Sequence, residues 1–169
     1  MKTDVFAQLE KVVVNAGIGR LAQSPNFSDK VLPEVISDFT GITGQKPMLA
    51  PAKKSIAGFK IREGTVVGLK ATLRRKRMRD FFSKVVHVVL PRLRDFRGIS
   101  ETAVDERGNL TIGIKEHIVF PEVNMETVKV SFGLEVTVVP RERKRAKALA
   151  LYRAIGVPFK KQEATKKKV

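Results

Sequence analysis

Two spacings of apolar residues run through this chain: every second position in some stretches, every third or fourth in others. Alternation marks strands, because successive side chains of a strand face opposite sides of the sheet. In Glu10–Ala16, Val12, Val14 and Ala16 are expected to face a core, with Val13 and Asn15 opposite them. In Thr65–Arg74, Val67, Leu69, Ala71 and Leu73 point one way and Lys70, Thr72 and Arg74 the other. A turn at Asp105–Asn109 leads into alternating Leu110, Ile112 and Ile114. The longest alternation, Thr127–Val139, sets Val128, Val130, Phe132, Leu134, Val136 and Val138 against Lys129, Ser131, Glu135 and Thr137, with Gly133 among them. Pro47–Lys53 reads as a fifth strand, and Pro47 and Pro51 favour an edge or a broken pairing for it.

Helical spacing appears three times. Val31, Val35 and Phe39, widened by Leu32 and Ile36, predict a helix capped by Ser28 or Asp29, running to about Thr40 and ended by Gly41 and Gly44. Met78, Phe81, Phe82, Val85 and Val89 form one stripe of a helix over Lys76–Leu90, with Pro91 closing it. Ala148, Leu151, Tyr152 and Ile155 mark a last helix over Arg141–Ile155, stopped by Gly156 and Pro158. The expected fold is α+β: a mostly antiparallel sheet with helices on one face and the other face open and basic. Residues 1–159 read as one domain and 160–169 as a basic, mobile tail.

Charge gives that open face a purpose. There are 33 Lys and Arg against 17 Asp and Glu, a net +16, while 43% of the residues are hydrophobic. The chain therefore reads as a folded domain whose self-repulsion calls for a polyanion. Nucleic acid, an anionic membrane or an acidic protein could supply it; no apolar run is long enough to cross a bilayer, and no membrane partner is expected. The first residues do not read as a signal or transit peptide, and cysteine is absent. A cytosolic protein is the plain reading.

The cations concentrate between Gln45 and Arg79, where about a third of the residues are Lys or Arg. Lys70, Thr72 and Arg74 share one outward row, and Arg75, Lys76, Arg77 and Arg79 follow at the start of a helix. A helix N-terminus disfavours cations, so such a cluster implies a compensating anion, most simply phosphate. Lys53, Lys54, Lys60 and Arg62 lie on a long basic loop. Its Ile56 and Phe59 either form a small core within the loop or face RNA, with Gly58 allowing close backbone approach. Trp is absent and Tyr occurs once; most of the ten Phe fall on apolar faces, which favours structured RNA over an unpaired strand.

Catalysis finds little support. Asn15–Arg20 lacks the third glycine of a dinucleotide fingerprint and the Gly-Lys-Ser/Thr of a phosphate loop, and reads as a tight turn. His87 and His117 have no metal-ligand spacing and read as packing or hydrogen-bonding residues. Glu122 and Glu126 meet no nucleophile or base. No catalytic residue, metal or cofactor is expected. An RNA-processing enzyme would need a carboxylate cluster on the basic face, and Glu135 alone does not make one. A free-standing adaptor for RNA or acidic proteins stays open on the residues alone.

Seven motifs occur in order: Lys11-Val-Val-Val-Asn15, Gly41-Ile-Thr-Gly-Gln-Lys-Pro47, Lys53-Lys-Ser-Ile-Ala-Gly-Phe-Lys60, Leu90-Pro-Arg-Leu-Arg-Asp-Phe-Arg-Gly98, Arg107-Gly-Asn109, Ile118-Val-Phe-Pro-Glu122 and Ile155-Gly-Val-Pro-Phe159. Together they resemble large-subunit ribosomal protein number five of the bacterial type, over roughly Leu9 to Lys160. The resemblance implies a monomer in the central protuberance that joins 5S rRNA to 23S-type rRNA. It implies 5S rRNA contacts at Asn15, Gln45, Thr72 and Arg74, and the full candidate set adds Lys46, Lys70, Arg75 and Arg77. It also implies a loop, here Lys53, Lys54, Ser55, Ile56, Gly58, Phe59, Lys60 and Arg62, that reaches P-site tRNA and helps bridge to protein thirteen of the small-subunit head. Three departures stand out. Family members usually carry a longer segment, with a helix, ahead of the first strand. Ala50 stands where Ser or Thr is usual, and Arg141–Arg145 is more basic than in relatives.

Overall fold

The computed structural model describes residues 5–126 and 128–160. Its strands are β1 (Leu9–Gly17), β2 (Met48–Pro51), β3 (Val66–Leu73), β4 (Leu110–Ile114) and β5 (Leu134–Pro140), and its helices α1 (Leu32–Thr43), α2 (Arg75–Lys84), α3 (Leu90–Arg92) and α4 (Arg145–Ile155). The strands form one sheet in the order β2-β3-β1-β5-β4, with every pairing antiparallel. This is the α+β architecture expected from the two spacings.

The alternation on each strand sorts the sheet's two sides. Val12, Val14 and Ala16 of β1, Leu69, Ala71 and Leu73 of β3, and Val136 and Val138 of β5 are buried. They join one apolar cluster with Val35, Phe39 and Ile42 of α1, Met78, Phe81 and Phe82 of α2, and Ala148, Leu151, Tyr152 and Ile155 of α4. Each large apolar side chain so buried contributes about 1.5–3 kcal/mol relative to exposure. That core holds the sheet together against the chain's positive self-repulsion. β2 is an edge strand with a register shift between Ala50 and Pro51, the edge position and broken pairing expected from Pro47 and Pro51.

Several local expectations are corrected. Ser28 and Asp29 do not cap α1; they lie inside a π-helical turn, Phe27–Val31, that precedes it. Pro91 does not close the second helix, which passes through another π turn, Val85–Val89, and continues to Arg92. Both π turns stand directly ahead of a Leu-Pro pair, Leu32-Pro33 and Leu90-Pro91. A proline inside an α-helix lacks a donor and its ring clashes with the carbonyl four residues back; a wider turn relieves both. Gly41 is helical, and only Gly44, at φ 66°, ends α1.

The last strand and the last helix both start later than their patterns predict. The long alternation continues over 128–133, but only Leu134–Pro140 is laddered; Thr127 lies outside the described residues. Its would-be partner β4 stops at Ile114, and the chain turns at His117, whose N–H donates to the Phe132 carbonyl at 3.0 Å. Lys129 pairs with Glu34 of α1 instead of joining the open face. The last helix begins at Arg145, so the basic run Arg141–Lys144 precedes it. Of the expected tail, only Lys160 lies within the described residues.

Candidate nucleic-acid interface

Strand register carries the polar residues of the uncovered face into two rows. One runs Thr111, Thr137, Val13, Thr72 across β4, β5, β1 and β3. The next runs Gly113, Glu135, Asn15, Lys70, Met48 across all five strands. Lys70 and Arg74 are exposed, and Asn15 and Thr72 are half-buried between their neighbours. The face is therefore graded: cations gather at the β3 end, hydroxyl and amide groups fill the middle, and Glu135 is the acid in the second row. Small polar side chains leave the backbone of the sheet approachable, and such groups contact phosphate and ribose.

Gln45 joins this face from the loop between α1 and β2. Its Nε2 donates to the Thr72 carbonyl at 3.4 Å, and its Oε1 accepts from an Arg77 guanidinium nitrogen at 3.5 Å. The loop is set by Thr43, whose buried hydroxyl donates toward the Phe39 and Gln45 carbonyls at 2.8 and 2.9 Å. Lys46 beside it is exposed.

Leu73 ends β3 and Arg75 begins α2, so a single residue, Arg74, connects them. Arg75 takes φ 54°, a left-handed conformation that turns the chain sharply. The first turn of α2 contains no acid, and Arg74, Arg75, Lys76 and Arg77 are exposed there. Each such cation at a helix N-terminus costs about 0.3–1 kcal/mol against the dipole, so a bound anion is favoured.

The basic loop is a hydrogen-bonded arm extending the β2–β3 hairpin. Ala52 and Gly64 close its base, Ser55 Oγ accepts from Glu63 N–H at 2.9 Å, and Ile56 and Ile61 exchange backbone bonds near its end. Ile56 is 48% and Phe59 62% exposed, so they do not form a core within the loop. Lys53, Lys54, Gly58, Lys60 and Arg62 are exposed with them. Gln23 Nε2 donates to the Phe59 carbonyl at 2.9 Å, which tethers the arm while leaving the ring outward.

Sequence reasoning missed a cleft of about 610 Å³ between this arm, the turn after β1 and the 131–133 segment. Gly17, Gly19, Arg20, Lys115 and Ser131 are among its lining residues. It depends on β5 being short, which the unbroken alternation concealed. Of the Asn15–Arg20 stretch expected to be a tight turn, Asn15–Gly17 complete β1 and only Ile18–Arg20 turn the chain, with Leu21 and Ala22 N–H donating to the Ile18 carbonyl at 3.0 and 3.1 Å.

The histidines take no part in this face. His117 is fully buried, stacks on Phe132 with centroids 4.0 Å apart, and accepts the Phe132 N–H on Nδ1 at 3.4 Å. Its Nε2 faces Asp38 Oδ2 at 3.5 Å. Burial holds its pKa below the ordinary imidazole range, against the raising influence of Asp38. Among the described residues no group of three or more His, Asp and Glu is placed to hold a metal, and no helix is long and apolar enough to cross a membrane.

Two family models match the chain. One, described as ribosomal protein L5, covers residues 7–62, and the other, describing the C-terminus of the same ribosomal family, covers residues 66–159. They meet at the base of the arm, yet β1 from the first pairs with β3 and β5 from the second. Relatives called large ribosomal subunit protein uL5 include those of Halothermothrix orenii, 49% identical over 90% of this chain and 83% of that protein, and Heliobacterium modesticaldum, 48% identical over 90% and 83%. That of Fusobacterium nucleatum is 45% identical over 91% and 82%. With matches of this extent on both halves of one sheet, the chain belongs to the ribosomal protein L5 (uL5) family, structural and non-enzymatic components of the large ribosomal subunit.

Proposed function

We propose that this large-subunit protein binds 5S rRNA on the uncovered face of its sheet and anchors it beside 23S-type rRNA in the central protuberance. Asn15, Gln45, Lys46, Lys70, Thr72, Arg74, Arg75 and Arg77 make the contacts. The observation that carries this reading is the open row Asn15–Lys70 beside Thr72, with the exposed cations of Arg74–Arg77 at its end. A flat hydroxyl and amide surface flanked by guanidinium groups suits a folded RNA read by backbone and shape.

The arm is a second contact of the same reading. Lys53, Lys54, Ser55, Ile56, Gly58, Phe59, Lys60 and Arg62 reach P-site tRNA and help bridge to protein thirteen of the small-subunit head. Support comes from its closed hydrogen bonding, its exposed Ile56 and Phe59, and its cations.

Hydroxyl-radical footprinting of 5S rRNA with the purified chain tests the first contact. A discrete protected segment that is lost with Arg74→Ala and kept when Lys53, Lys54 and Lys60 are changed to Ala is expected. Protection lost only with the arm variant would reverse the assignment.

A further inference from the structure

We infer that the loop after α3 is a second RNA-backbone site, engaging an RNA segment other than the one on the sheet. Arg92, Arg94 and Arg97 are exposed, while Leu93 and Phe96 between them are half-buried against the core. Apolar anchors thus alternate with displayed guanidinium groups. Among the described residues no carboxylate pairs with these three arginines; Asp95 is the loop's own acid.

The loop is held, not merely exposed. Asp95 at φ 55° and Gly98 at φ 96° fold it back. A Cβ on Gly98 would lie 2.8 Å from the Lys160 nitrogen and 2.9 Å from the Phe159 carbonyl carbon, so only glycine fits against that strand-like segment. Ile99 N–H donates to the Pro158 carbonyl at 2.8 Å and Lys160 N–H to the Ile99 carbonyl at 2.9 Å. Lys160, also exposed, is brought beside Gly98 and Ile99 by these bonds.

Position argues for a separate RNA segment. The continuous helical run from Arg75 to Arg92 rises about 1.5 Å per residue, which sets the two arginine clusters roughly 25 Å apart at its opposite ends. Guanidinium forks without carboxylate partners match phosphate in bidentate geometry. Their fixed mounting lowers the ordering cost of binding. The inference rests on the RNA-binding reading above, and the protein then spans two RNA segments with one rigid helix between them.

The test compares two probes, purified 5S rRNA and the purified large rRNA of the large subunit, across a salt series. R92Q/R94Q/R97Q should bind 5S rRNA with unchanged affinity and slope. On the large rRNA it should lose tens-fold in affinity, with the slope of log K against log[salt] falling by roughly 2–3 for three phosphates released. Unchanged binding to the large rRNA overturns the proposal, and so does a loss seen on 5S rRNA alone. A photoreactive residue at position 94 should crosslink in assembled subunits to RNA other than 5S; crosslinking only to protein also overturns it. Arg74→Ala separates the two readings, because unchanged 5S affinity in that variant defeats the sheet-face assignment whatever the loop variant does. If the triple variant unfolds early, Arg94→Gln alone should show about a third of the slope change.

Discussion

Gln45 Nε2 donates to the backbone carbonyl of Thr72 across 3.4 Å. β2 pairs with β3 only as far as Met48–Lys70, so the Thr72 carbonyl lies beyond the edge strand's reach. A side chain from the α1–β2 loop takes the place of a missing strand residue, and it links Thr72 to Arg77. Gln45→Ala should therefore loosen both and weaken 5S rRNA binding about 3- to 10-fold, the worth of one net hydrogen bond. Filter binding reads the change, and wild-type affinity would separate Gln45 from the interface.

Lys84 ties the two helices under this face. Its Nζ donates to the Ile42 carbonyl at 2.9 Å, one of the groups left open at the C-terminus of α1, and pairs with Glu122. The ammonium also sits 5.6 and 5.8 Å from the Phe81 and Phe120 ring centroids. Lys84→Ala should cost about 1–3 kcal/mol, because a charge-assisted bond is lost. Chemical denaturation measures it. A cost below about 0.5 kcal/mol would mark the contact as an ordinary surface pair.

His117 predicts a pH dependence of stability. Burial depresses its folded pKa below the unfolded value of 6.5. Above that value the imidazole is neutral in both states; as pH falls through it, the unfolded chain takes up a proton that the folded chain resists. The stability is therefore full above 6.5 and declines toward the lower folded value. Protonation would also end acceptance of the Phe132 N–H at Nδ1. Denaturant unfolding at pH 7.5 and 5.5 should show a loss in the wild type that is reduced in His117→Phe. Equal slopes in the two proteins would contradict it.

The sequence made the buried and open sides of the sheet legible because period two leaves no freedom on a strand packed on one face. Val12, Val14, Leu69, Ala71, Leu73, Val136 and Val138 all face inward. Register was not legible: nothing local says that Asn15 stands opposite both Lys70 and Glu135. Alternation also overstated β5, since Val128–Phe132 keep the pattern without a strand beside them, and Phe132 packs on His117 instead. The wide turns ahead of Pro33 and Pro91 were hidden too, because a π turn has no sequence period of its own.

The most direct measurement is the salt dependence of 5S rRNA binding by Lys70→Ala/Arg74→Ala. These exposed side chains lie on the uncovered face, and no helix needs them for packing. The expected result is a slope reduced by roughly 1.5–2 for two phosphates, a weaker complex, and an unchanged melting temperature. A variant that binds 5S rRNA with wild-type affinity and wild-type slope would place the RNA elsewhere on the molecule.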